Sequence, residues 1–305
     1  MTGSMRGIAL KLSSVFLFIV MASLIKATSD AVPPGEAVFF RSFFALPVIL
    51  VWLAWRHDLG TGLRAERPIG HVWRGLIGVT SMGCGFAALG LLPLPEVTAL
   101  GYGAPLMTVI FAALLLGERL RAVRLSAVGL GLVGVLIVLW PRLTVEEADR
   151  AATIGVALVL ASAVLRALAQ IQIRRLVATE TTSSIVFYFS LTATLMSLAT
   201  LPFGWTWPGV WPGLMLVAAG LVGGVAQILL TSAYRGSEAA LLAPFDYASM
   251  IFALAIGYAV FGEVPTLAML LGSGIVISAG VMIIWRERQL GLQRSKDRPG
   301  MTPHG

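Results

Sequence analysis

The chain has 305 residues, of which 57% are hydrophobic and 12% charged, with a formal net charge of +7. A soluble domain carries about a quarter charged residues, so this composition cannot cover a water-facing surface. Mean hydropathy is +0.88, and the apolar runs reach the roughly 20 residues that cross a hydrocarbon core, which indicates a polytopic membrane protein. The positive charges lie in short loops between those runs, so they read as topogenic charge and not as a nucleic-acid face.

Ten apolar spans are predicted, over residues 8–25, 36–55, 73–91, 96–116, 122–140, 153–173, 183–203, 212–233, 239–261 and 265–285. The first is too long for a signal-peptide core, lacks a small-residue cleavage site and is followed by further spans, so it is read as uncleaved. Pro33-Pro34, Pro93, Pro95, Pro141, Pro202, Pro208 and Pro212 mark the span ends. So do Trp52, Trp55, Trp140, Trp205, Trp207, Trp211 and Trp285, as expected of interfacial aromatics. The uncharged stretch from Thr181 to Tyr234 is too long for one helix and is split by Gly204-Trp205-Thr206-Trp207-Pro208-Gly209. Residues 141–152 read as an exposed acidic linker, and residues 286–305 as a basic, disordered tail on the cytoplasmic side.

Orientation follows from Lys and Arg. With the N-terminus cytoplasmic, seventeen of the 22 fall at the inner side and only Lys26, Arg142 and Arg150 at the outer; Arg41 and Arg166 lie within spans. That bias places both termini inside.

One block occurs twice. A shift of 145 residues carries Tyr102 onto Tyr247, Gly117-Glu118 onto Gly262-Glu263, Leu125 onto Leu270, Gly129 onto Gly274 and Trp140 onto Trp285. The same shift carries Gly75 and Gly78 onto Gly220 and Gly223. A period this long means a duplicated half-protein, here residues 8–140 and 153–285. Five spans per half is an odd number, so the second half enters from the opposite face and Glu118 and Glu263 lie on opposite sides. The predicted fold is therefore an all-α membrane protein of ten helices in two inverted-topology repeats, an arrangement of secondary transporters with a site near the repeat interface. The small residues of Gly75/Gly78, Ala127/Gly131, Gly220/Gly224 and Gly274/Ser278 are expected at close helix contacts.

There is no Walker A, HExxH or GxSxG motif, the three His have no metal-ligand spacing, and Cys84 stands alone, so no cofactor, metal or catalytic residue is assigned. What remains is the polar set inside the spans, where a charge costs roughly 2.5–3.5 kcal/mol on insertion scales. Helical rise puts Arg166, Gln227 and Asp246 on three helices at one depth, with Tyr247 beside them and Gln170 one turn from Arg166. Arg41 and Tyr102 are expected at a shallower, outer level. Arg166 and Asp246 have two readings: an ion pair that lets helices pack, or a divided site taking a carboxylate and an ammonium. Arg41 is expected to snorkel outward or to pair with Glu36. Tyr102 and Tyr247 are either interface packing or cavity lining, and Thr80, Met82 and Cys84 read as core.

Several of these stretches resemble the drug/metabolite transporter superfamily in its EamA family. They are Val38-Phe39-Phe40-Arg41, Arg74-Gly75-Leu76, the run from Pro105 to Leu116-Gly117-Glu118, and Ala243-Pro244-Phe245-Asp246-Tyr247 leading to Phe261-Gly262-Glu263. The resemblance implies alternating-access export of amino acids, aromatic ones among them, or of related small metabolites across a cell inner membrane. The alternative within it is uptake, as in S-adenosylmethionine carriers. A membrane-embedded enzyme or scaffold is the reading from another class, disfavoured by the short loops. The implied partners are a small-molecule substrate and the lipid bilayer. Pro105 faces Met250 across the repeat, so no proline kink is expected in the second copy.

Overall fold

The computed structural model describes residues 3–57, 59–116, 122–143, 150–176, 179–236 and 243–296. Among these the chain is helical, with α1 (Gly3–Ala27), α2 (Pro34–Phe43), α3 (Ala45–Trp55), a short α4 (Leu59–Gly62) and α5 (Pro68–Leu89). There follow α6 (Leu94–Gly101), α7 (Gly103–Leu116), α8 (Ala122–Leu143), α9 (Arg150–Leu176) and α10 (Thr182–Leu198). The last are α11 (Val210–Gly236), α12 (Ala248–Phe261) and α13 (Leu267–Lys296). Five apolar segments are long enough to cross a membrane: α1, α2 joined to α3, α5, α9 and α11; four shorter ones lie in α8, α10, 245–261 and α13. Side chains such as Trp55, Trp207, Val210 and Leu267 stand open on the outside, which an apolar solvent tolerates and water does not.

Helix starts and stops follow local chemistry. Pro lies at the first turn of α2 and α5, where its missing N–H costs nothing, and Thr181 caps α10 by accepting the Ser184 N–H at 3.2 Å. Two expected spans are broken in mid-course. The second divides at Phe44, because Pro47 offers no N–H to the Phe43 carbonyl. The fourth divides at Tyr102, where Pro105 leaves the Gly101 carbonyl in the same position. The second copy is irregular too, despite Met250: Ala243–Tyr247 is a 3-10 turn that becomes α12 at Ala248. The tail departs from expectation, since α13 runs on to Lys296. Arg286-Glu287-Arg288-Gln289-Leu290 are helix formers, and no Pro intervenes before Pro299. Most of the acidic linker, residues 144–149, and Gly117-Glu118 lie outside the described residues.

The helix contacts interchange under the 145-residue shift. α1 packs on α11 as α9 packs on α5; α2 packs on α11 as α10 on α5; α2 meets α10 and α8 meets α13, each pair being its own image. The small residues explain several of these contacts. A methyl at Gly220 would meet the Phe40 carbonyl at 2.8 Å, and one at Gly224 the Ala45 Cα at 3.2 Å, so α11 touches α2–α3 backbone to backbone. Gly274/Ser278 does not serve this purpose, for Gly274 faces open space and Ser278 is exposed. The α8–α13 approach rests on Gly134 and Gly272 instead, each facing the other's carbonyl.

Candidate functional site

The polar residues sit where the halves meet. Tyr102, at the break between α6 and α7, and Tyr247, at the turn into α12, are both buried and lie ring to ring, 5.1 Å between centroids at 66°. The Tyr102 hydroxyl is 2.6 Å from Ser249 Oγ and donates to the Tyr247 carbonyl at 3.3 Å. The Tyr247 hydroxyl lies against Gly280 on α13, where any side chain would overlap it. The two repeat-equivalent tyrosines are thus the seam of the halves, at one level and not two.

Arg166 and Asp246 flank that seam. Arg166, on α9, is exposed, with Nη2 3.4 Å from Ser162 Oγ on its own helix. Its guanidinium faces Gly101 of α6 and Gly85 of α5, whose missing side chains leave room around it. Ser162 and Ser81 exchange hydrogen bonds of 2.8 Å to each other's carbonyls and fix α9 on α5 there. Asp246 does not reach Arg166. Its Oδ1 pairs at 2.6 Å with Lys11 Nζ, and the side chains are 49% and 3% exposed. Lys11, one of the charges assigned to the inner side, lies within α1, and only the folded contact shows its carboxylate partner. Gln227 is half-buried beside Ala226, whose carbonyl accepts from Ser14, and no hydrogen bond joins it to Arg166 or Asp246 among the described residues.

Arg41 lies elsewhere and contradicts both expectations for it. It does not snorkel, being 5% exposed, and Glu36 accepts the Thr206 N–H at 3.0 Å instead of pairing with it. The Arg41 guanidinium lies over the Phe189 ring of α10, 5.9 Å from its centroid. Arg74 of α5 lies over the same ring at 4.3 Å and is 8% exposed. Arg74 is one of the seventeen inner charges, yet it is buried six residues past Pro68 in α5, and that depth in the helix is the signal that sets it apart.

The second Gly-Glu has a physical role. Gly262 takes a left-handed φ of 65° and ends α12. Glu263 then accepts the Leu94 N–H at 2.9 Å, at the start of α6, and pairs with Lys26 at 3.1 Å. Lys26 in turn donates to the Leu89 and Leu92 carbonyls at 3.0 and 2.7 Å. One carboxylate thus clamps the ends of α1, α5 and α12 to the start of α6.

The seam thus has Arg166 beside Gly85 and Gly101 on one flank and the Lys11–Asp246 pair on the other. A model described as the EamA-like transporter family matches residues 5–140 and 153–285. The chain is 30% identical over 286 residues to a pseudopaline exporter of Pseudomonas aeruginosa, covering 93% of this chain and 97% of the other. It is 28% identical over 257 residues to an S-adenosylmethionine uptake transporter of Rickettsia bellii, covering 83% and 84%. A solved crystal structure superposes with a TM-score of 0.67 at 24% identity, over 93% of this chain and 98% of that one, a likeness of fold.

Proposed function

Because the chain belongs to the EamA-like transporter family, we propose that it is a secondary transporter of alternating access that exports amino acids or related small metabolites across the inner membrane. The observation that carries this reading is the interchange of helix contacts between the halves, with the tyrosine seam at its centre. Two packed halves related in this way rock against each other around a site at their interface. The ten-span inverted topology, with both termini cytoplasmic, belongs to the same proposal, supported by the charge bias and the odd span count. Arg166, Asp246, Gln227, Tyr102 and Tyr247 are the proposed solute contacts at that seam, and Arg41 a further one.

The clamp of Glu263, Lys26 and the Leu94 N–H holds one end of the bundle shut, and release of solute at that end requires it to open. No step of this cycle asks for bond chemistry, so the chain is read as a carrier and not an enzyme. Similarity to an S-adenosylmethionine uptake transporter favours uptake as the second reading. Counterflow into liposomes loaded with each of the twenty amino acids or with S-adenosylmethionine tests the carrier reading. Trans-accelerated flux of at least one of them without chemical turnover is expected; no flux, or turnover of the solute, would reject it.

A further inference from the structure

Arg41 and Arg74 have no place in the packing that explains the rest of the bundle. Both are more than nine-tenths buried, and Nε and Nη1 of each are enclosed without a hydrogen-bond partner. The sum of 5.9 and 4.3 Å to the one Phe189 centroid bounds their guanidinium carbons at 10.2 Å apart. No carboxylate pairs with either among the described residues. Two neighbouring like charges with orphaned donors are costly in a low-dielectric interior, and the stacking on one ring recovers only part of it. A group that is charged, buried and unpartnered in the empty protein is poised for an anion.

The duplication separates this cluster from a structural feature. The 145-residue shift carries Arg41 onto Val186 and Arg74 onto Ala219, both buried and apolar. The same contacts between helices are therefore made in the other half without a cation. Two glycines border the cluster: Gly78 faces Phe189, and Gly223 faces Met21 Sδ at 2.7 Å and Arg41 Nε at 3.6 Å. The site lies among α2, α5, α10 and α11, which exchange in pairs between the halves, so it sits on the surface across which they move.

We propose that Arg41 and Arg74 form a carboxylate-binding subsite for the transported solute, with the Phe189 ring as its floor. The proposal rests on the transporter reading above and adds the chemical class of the group that is recognised. Charge-assisted donors on two guanidiniums suit a carboxylate on a small amino acid or hydroxy acid.

The test uses the purified full chain in detergent, so that it does not depend on flux. Thermal unfolding is followed with glutamate, malate, glutamine or inorganic phosphate added. Glutamate, glutamine and malate each carry a carboxylate and should raise the wild-type melting temperature in a saturable way. In Arg41→Gln and Arg74→Gln the apparent affinity should weaken by about tenfold or more. The empty variants should melt at or above the wild type, because each removes one of two unpaired like charges; a structural pair would do the opposite. Arg41→Lys and Arg74→Lys keep the charge and lose the planar donors, and should fold as the wild type while binding more weakly. The inference is overturned if no carboxylate shifts the wild type, if only phosphate does, or if the shift survives in the variants. Binding kept in a protein that shows no flux would reject the carrier reading and leave this subsite standing.

Discussion

Lys11 and Asp246 are unequal partners, 3% and 49% exposed at 2.6 Å, and the inequality decides what each substitution costs. Asp246→Asn takes the carboxylate from a buried ammonium, so its cost should exceed the ~1 kcal/mol of a surface pair. Lys11→Met leaves a half-exposed carboxylate and fills the same volume, so its cost should lie near the ~1 kcal/mol of a surface pair. The double variant should recover most of what Asp246→Asn loses, as read by thermal unfolding in detergent. A double variant as unstable as Asp246→Asn would show that the pair is not what holds α1 to the turn before α12. The tyrosine seam supplies a second test. Gly280→Ala places a methyl on the Tyr247 hydroxyl and should lower stability by about 1–3 kcal/mol, with Tyr247→Phe in the same chain restoring part of it. At this scale the sequence told which residues are polar inside the bundle, and not which of them meet. Helical rise gives depth along one helix, but Tyr102 and Tyr247 sit at helix breaks and Lys11 reaches Asp246 from within α1, so pairing depended on crossings that rise does not carry.

Among the elements, the turn between α9 and α10 is tied to the segment before α5 by one carboxylate. Glu180 accepts the Glu66 and Arg67 N–H groups at 2.8 and 2.6 Å and lies 3.3 Å from His71 Nε2. Burial pushes the Glu180 carboxyl up, but the Arg67 N–H, His71 and the Glu66 N–H outweigh it and hold the group below its ordinary value. A carboxylate depressed in the folded state contributes stability that is present above its unfolded pKa and lost as pH falls through the folded one. The melting temperature of the wild type should therefore fall toward that of Glu180→Gln as the pH drops below the ordinary carboxylate range. A difference between the two that does not change with pH would reject the lock. Several helix ends were legible in the sequence, because Pro, Gly and Thr act locally, but the breaks at Phe44 and Tyr102 and the helical run to Lys296 were not. The contact of α8 and α13 was not: Gly134 and Gly272 are not repeat mates, and a register of identities could not single them out over Gly274.

For the whole molecule the decisive question is which way each half faces. The contacts interchange under the 145-residue shift, which any two-fold arrangement of the halves would give; inversion rests on the odd number of spans and on the loop charges. Two of the seventeen inner charges, Lys11 and Arg74, are buried in helices and are not topogenic at all. The remaining fifteen against three still favour the proposed orientation, with both termini inside. Glu263 is engaged in the clamp with Lys26, and replacing it would disturb the end of the bundle being probed. Val264, 76% exposed one residue on, and its repeat mate Arg119 are better reporters. In a Cys84→Ala background, Val264→Cys should be labelled by an impermeant maleimide added to intact cells. Arg119→Cys should be labelled only after the membrane is opened. Labelling of both variants from the same side would mean that the halves run parallel, and the transport cycle proposed here would lose the symmetry on which it depends.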